Sequence, residues 1–175
     1  MLTVRDGVRL APLIRGGGQE RERRSGTHNV AGIVAMATAL AETDRERVDE
    51  STRVTGLRDR LLDGLGSRLD GLVETVPRDR VVAGIAHVCI EGIESESLLF
   101  LLDEAEVCAS AASACASGAM EPSHVLAAMG VDRDRAGGAL RMSLGHTTTA
   151  DDVDRAVDVL TDSVARLRRL NVPAG

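Results

Sequence analysis

Cys115 is the residue of this chain best suited to nucleophilic chemistry. It sits in the run Ser110-Ala-Ala-Ser-Ala-Cys-Ala-Ser-Gly118, nine residues with no side chain larger than the thiol. A structural cysteine packs among bulky apolar neighbours, and this run offers none. The composition therefore predicts a mobile loop and a sulfur that can move with it. A thiolate on such a tether suits a carrier that collects sulfur in one place, as a persulfide, and delivers it in another. The competing reading is a small residue buried in a Ser/Ala turn.

The other two cysteines read as packing residues. Cys89 lies beside Val88 and Ile90 in a predicted strand over 81–90, and Cys108 falls in a predicted short strand over 107–109. A zinc site drawn from His87, Cys89, Cys108 and Cys115 lacks the paired short spacing of such sites, so no metal is expected. All 21 residues counted as Lys or Arg are arginine. The absence of lysine limits the chemistry available to the chain alone, although a GC-rich coding bias accounts for it equally well.

These residues must be positioned by a modest aliphatic core. The chain has 175 residues, 43% of them hydrophobic, with one Phe and no Trp or Tyr. That is enough for one domain with a sizeable core, but it leaves no aromatic platform for stacking bases. A net charge of −6 also argues against nucleic acid as a direct partner. Arginines alternate with acids in Asp44-Arg-Glu-Arg47 and Asp132-Arg-Asp-Arg135, the pattern of solvated helix faces. No apolar run is long enough for a membrane span, and no signal-peptide pattern opens the sequence. Three cysteines without framework spacing fit a reducing cytoplasm.

Periodicity supplies the elements. Residues 1–26 read as irregular, with short extended stretches at 2–5 and 8–12 and a turn at Gly16-Gly-Gly18. One helix is expected over 30–40 and a second over 45–73. The second carries a stripe of Val54, Leu57, Leu61, Leu65, Leu69 and Leu72. Then come the strand over 81–90, a helix from a Ser95 cap to Leu102, the strand over 107–109, and a short helix between Pro122 and Gly130. A strand over 139–144 and a helix opened by Thr149, with Asp152 as its capping partner, complete an α+β fold.

Four segments together resemble the C-terminal part of the cysteine desulfurases, pyridoxal-phosphate enzymes of the class V aminotransferase group. They are Arg15-Gly-Gly-Gly-Gln-Glu-Arg-Glu-Arg-Arg-Ser-Gly-Thr27, Ser113-Ala-Cys-Ala-Ser-Gly118, Glu121-Pro-Ser-His-Val-Leu126 and Ala139-Leu-Arg-Met-Ser-Leu-Gly145. Each is weak alone; four in order are specific.

The resemblance implies the small domain of a fold-type I transferase, preceded by part of the large domain. Residues 1–26 would be the large-domain and interface remnant, 27–80 connecting helices, and 81–175 the small α+β domain carrying the Cys115 loop. It further implies that Cys115 receives sulfur from L-cysteine, leaving L-alanine, and passes it to an acceptor protein for iron–sulfur assembly or thiolation. Arg141 would hold the substrate carboxylate, because a planar guanidinium fork matches two carboxylate oxygens. Thr27 would reach the phosphate of pyridoxal phosphate in the second subunit of a homodimer. A helix N-cap is the plainer role for Thr27, and a salt bridge for Arg141. The family's cofactor-bearing lysine lies N-terminal to the glycine-rich segment, and Arg15 stands where a histidine is common. Other readings are a non-catalytic remnant, one half of a split enzyme, or a selenocysteine lyase or other class V transferase.

Overall fold

The computed structural model describes residues 2–111 and 123–170; Cys115 and Pro122 lie outside the described residues. The chain separates into two units, residues 1–46 and 47–175.

In the first unit the stretches at 2–5 and 8–12 form no strand, against expectation. The backbone pairing there is an isolated bridge between Ile14 and Arg24. An extended segment becomes a strand only when a ladder satisfies its backbone, and neither stretch has one among the described residues. The helices expected over 30–40 and 45–73 are one element, α1, running from Val30 to Gly66. The polar stretch between them has no Gly or Pro to interrupt it. Pairs such as Glu42–Arg45, at 2.6 Å, lie at the spacing that supports a helix.

Helix α1 ends seven residues before the expected 73. Gly64 and Gly66 weaken its last turn. Gly71, at φ 70°, then turns the chain into a strand absent from the sequence reading, β1 (Leu72–Glu74). Leu72 therefore pairs with Ile90 across a sheet instead of ending a helical stripe. Strand β2 is Ile85–Ile90, shorter than expected because residues 82–85 close a turn, the Ile85 N–H donating to the Val82 carbonyl at 3.2 Å. Helix α2 is Ser95–Glu104. Ser95 does not cap it. The Ser95 hydroxyl lies 2.7 Å from the carbonyls of both Gly137 and Ala139, tying α2 to the far side of the sheet.

Residues 107–109 form no strand; only Ser110 bridges to Arg141. Helix α3 is His124–Ala128, and Gly130, at φ 79°, follows its last turn as expected. An unforeseen helix α4, Arg133–Gly137, begins at Asp132, whose Oδ1 accepts from the N–H groups of Asp134 and Arg135. Strand β3 is Ala139–Ser143 and helix α5 is Ala150–Leu170. The α5 cap matches expectation: the Thr149 N–H donates to Asp152 at 2.9 Å, and the Asp152 N–H returns to the Thr149 hydroxyl at 3.2 Å.

The sheet is antiparallel throughout, in the order β1-β2-β3. Strand alternation sends Ala86, Val88 and Ile90 of β2, with Leu140 and Met142 of β3, into one core. There they meet Leu61, Leu62 and Leu65 of α1, Leu98 and Leu102 of α2, and Val157, Leu160 and Val164 of α5. Each fully buried Val, Leu, Ile or Met side chain here contributes about 1.5–3 kcal/mol relative to exposure. Among the described residues, the opposite face is covered at one end, where Cys89 and Ala139 pack with Leu126 of α3 and Ala136 of α4.

Candidate functional site

The other end of that face carries polar side chains. The alternation that buries Val88 turns His87 outward, and the one that buries Leu140 and Met142 turns Arg141 outward. His87 stands opposite Arg141 in the β2–β3 register. On the β1 side, the Thr75 N–H donates to the His87 carbonyl at 3.2 Å, and the Thr75 hydroxyl lies 2.8 Å from Nδ1 of the ring. On the far side of β3, Arg141 and Ser110 exchange two backbone hydrogen bonds, at 2.8 and 3.0 Å.

Arg141 is the one arginine in the three strands, and its side chain is exposed. Several arginines elsewhere are paired: Arg60 with Asp154, Arg68 with Asp158 and Arg135 with Glu91. Among the described residues no carboxylate pairs with Arg141, so the expected alternative of a salt-bridge role finds no partner there. His87 is half-buried. Burial first, and then the charge of Arg141, hold its pKa below the ordinary imidazole value. The sequence reading considered His87 only as a zinc ligand. The clue was its position between core residues on a strand, but its pairing with Arg141 depends on a register between distant segments.

The cysteines divide. Cys89 is fully buried, and burial raises its thiol pKa, as a packing residue should behave. Cys108 departs from the expected core strand: it is exposed, beside a cavity of about 240 Å³ lined also by Leu61, Met142, Leu144 and Thr148. In native protein, brief alkylation is therefore expected to modify Cys108 and leave Cys89 free until the fold is unfolded, as read by mass mapping. Labelling of Cys89 at the rate of Cys108 would contradict this packing.

Thr27 belongs to the first unit. It does not cap α1: the cap is Asn29, whose Oδ1 accepts the Gly32 N–H at 3.0 Å. Thr27 follows Gly26, at φ 91°, and is exposed. The preceding motif closes on itself. The Ser25 hydroxyl donates to the Gly17 carbonyl, the Ser25 N–H to Ile14 at 3.0 Å, and the Gly26 N–H to the Gln19 side chain at 3.2 Å. Glu20, Arg21 and Glu22 are left-handed in succession, with φ of 52°, 57° and 63°. Side chains resist that conformation by roughly 1–2 kcal/mol each, so the surrounding loop bonds must hold it.

This mixed fold is that of the NifS-like transferases. One solved NifS-like protein matches 93% of the chain at a TM-score of 0.76 and 34% identity, while the chain covers 41% of it. The chain belongs to the class V aminotransferase family, whose pattern it matches over residues 9–156. Its relatives include a cysteine desulfurase of Gluconacetobacter diazotrophicus, 48% identical over 97% of the chain. Another is an IscS-like cysteine desulfurase of Mycobacterium tuberculosis, 45% identical over 99% of it. The chain spans 42% and 44% of the lengths of these two.

Family membership implies pyridoxal phosphate. Thr27, which the resemblance assigns to the phosphate of that group, is exposed, and the described residues include no lysine to bind it covalently. By themselves they do not make a cofactor site.

Proposed function

We propose that this chain supplies the substrate-carboxylate and sulfur-accepting groups of a cysteine desulfurase. The reading is carried by the placement of Arg141: unpaired among the described residues, fixed on β3, and joined by two backbone hydrogen bonds to Ser110, where the Cys115 run begins. Five residues of extended chain span at most about 18 Å between Cα atoms, so the Cα of Cys115 is tethered within that distance of the Cα of Ser110.

In the reaction the carbon–sulfur bond of L-cysteine breaks and a sulfur–sulfur bond to Cys115 forms. The Cys115 thiol becomes a persulfide, and L-alanine leaves with the balancing proton. Arg141 holds the substrate carboxylate during this exchange. The persulfide then passes to an acceptor protein, toward iron–sulfur assembly or thiolation of tRNA or cofactors, in a reducing cytoplasm. Pyridoxal phosphate would be held by a lysine from outside these 175 residues, and Thr27 would offer its hydroxyl to the phosphate across a homodimer. Among the described residues no helix is long and apolar enough to cross a membrane.

A chimera tests this reading. In it the chain replaces the matching 44% of the Mycobacterium tuberculosis relative. With cofactor bound, it should release alanine from cysteine and carry one persulfide, and Cys115→Ser should abolish both. A folded, cofactor-loaded chimera whose Cys115→Ser variant keeps its turnover would overturn the assignment.

A further inference from the structure

Four residues from separate crossings of the chain stand in one row on the face of the sheet opposite the main core. Thr75 continues the β1 register onto His87, His87 faces Arg141, and Arg141 faces Ser110. Directly opposed residues of an antiparallel pair share a face, with Cβ atoms about 4.5–5.5 Å apart. The imidazole and the guanidinium are therefore side by side, one half-buried and one exposed.

Thr75 sets the ring. Its hydroxyl is 2.8 Å from Nδ1 and 3.2 Å from the His87 carbonyl, and it has one proton to give. Given to the carbonyl, that proton leaves the oxygen free to accept from Nδ1–H, so both contacts are satisfied. This tautomer leaves the lone pair on Nε2, the ring nitrogen Thr75 does not hold.

The charges on the neighbouring elements are otherwise engaged. On β1, Glu74 is opposite Val88, so it takes the other face, and it pairs with Arg78 at 2.6 Å. On α4, Arg135 is held by Glu91, and its charge acts on Cys89. From β3, Arg141 is the charge that acts on His87. Burial and that charge both disfavour a proton on the ring in the free protein.

We propose that His87 and Arg141 form a two-group carboxylate seat, in which Arg141 is always charged and His87 becomes the second cation by taking up a proton when the anion arrives. The inference rests on the reading of Arg141 as the carboxylate residue and adds its proton linkage. A carboxylate on Arg141 cancels the charge that opposes protonation of His87. The proton then enters at Nε2, and the imidazolium attracts the same anion. Anion and proton therefore assist each other's binding. The sign follows: carboxylate affinity rises as pH falls through the range of His87, and it is flat above that range, where the ring stays neutral in both states.

The test uses the full chain and propionate, a carboxylate with neither amine nor thiol, against chloride at matched ionic strength to remove screening. The Cε1–H signal of His87, assigned by its loss in His87→Asn, is followed by NMR across pH. Circular dichroism checks that each variant is folded. Propionate should raise the His87 midpoint by roughly half a unit or more, equivalent to about threefold tighter binding to the protonated form. Arg141→Gln should abolish the shift. His87→Asn and His87→Gln should retain propionate binding but lose its pH dependence. Binding that requires Arg141 while the His87 midpoint stays still would overturn this inference and leave the role of Arg141 standing. Binding that is absent, or equal in Arg141→Gln, would remove both.

Discussion

Given pyridoxal phosphate and L-cysteine, the 175-residue chain alone is expected to form no alanine above a cofactor-only control. The reason is chemical. Covalent attachment of the cofactor aldehyde needs a side-chain amine that can lose its proton, and lysine is the side chain that has one. All 21 residues counted as Lys or Arg here are arginine. A guanidinium stays protonated throughout the working range of an enzyme. In the roles proposed for them, Cys115 would receive sulfur and Arg141 would hold a carboxylate, but neither side chain could activate the substrate carbon. Ordinary enzymes turn over roughly 1 to 1,000 times per second, so the expected gap between chain and chimera is many orders of magnitude. Alanine formed by the chain alone at about 1 per second would show that the lysine is dispensable.

The sequence disclosed the features that local chemistry determines. Alternation identified β2 and β3, and the Thr149–Asp152 spacing identified the cap of α5, because each signal lies within a few residues of its effect. The single helix α1 was missed because its apolar stripe pauses at the polar run around Asp44. That run breaks the stripe without breaking the helix, since no Gly or Pro is present to stop it. Helix α4 was missed because Arg133–Gly137 is too short to show periodicity, and only Asp132 marked its start. Cys108 was misplaced for a different reason: 107–109 has a strand's composition, but pairing starts only at Ser110.

The site divides in the same way. Arg141 and Thr27 came from motif resemblance, whereas His87 did not. Its significance depends on a register joining residues 75, 87, 110 and 141, and register is fixed by the packed face of the sheet. A one-residue slip would carry His87 into the core and Val88 to the surface. No local inspection of Ile85–Ile90 shows which residue will face Arg141.

Gly138→Ala is expected to destabilise the compact unit by about 3 kcal/mol or more, into the range of major core damage. Gly138 joins α4 to β3 with φ −95°, a conformation open to any residue, so the difficulty is space. A Cβ there would lie 2.0 Å from the Ile90 carbonyl oxygen, which cannot move without moving β2. Relief would part the end of β2 from the turn and stretch the 3.0 Å bond from the Ile90 N–H to the Gly138 carbonyl, a loss of about 1 kcal/mol. It would also disturb Ile90, which is completely buried, and pull the carbonyls of Gly137 and Ala139 from Ser95. Gly56→Ala is the matched control: it lies within α1, and an added Cβ meets nothing within 4 Å. Helix propensity should stabilise that variant by up to about 1 kcal/mol. Urea unfolding of both, compared at equal slope, separates steric from propensity effects. A Gly138→Ala midpoint within error of the parent would mean that β2 and the α4–β3 turn are not in this contact, and the packing of the sheet's covered end would have to be redrawn.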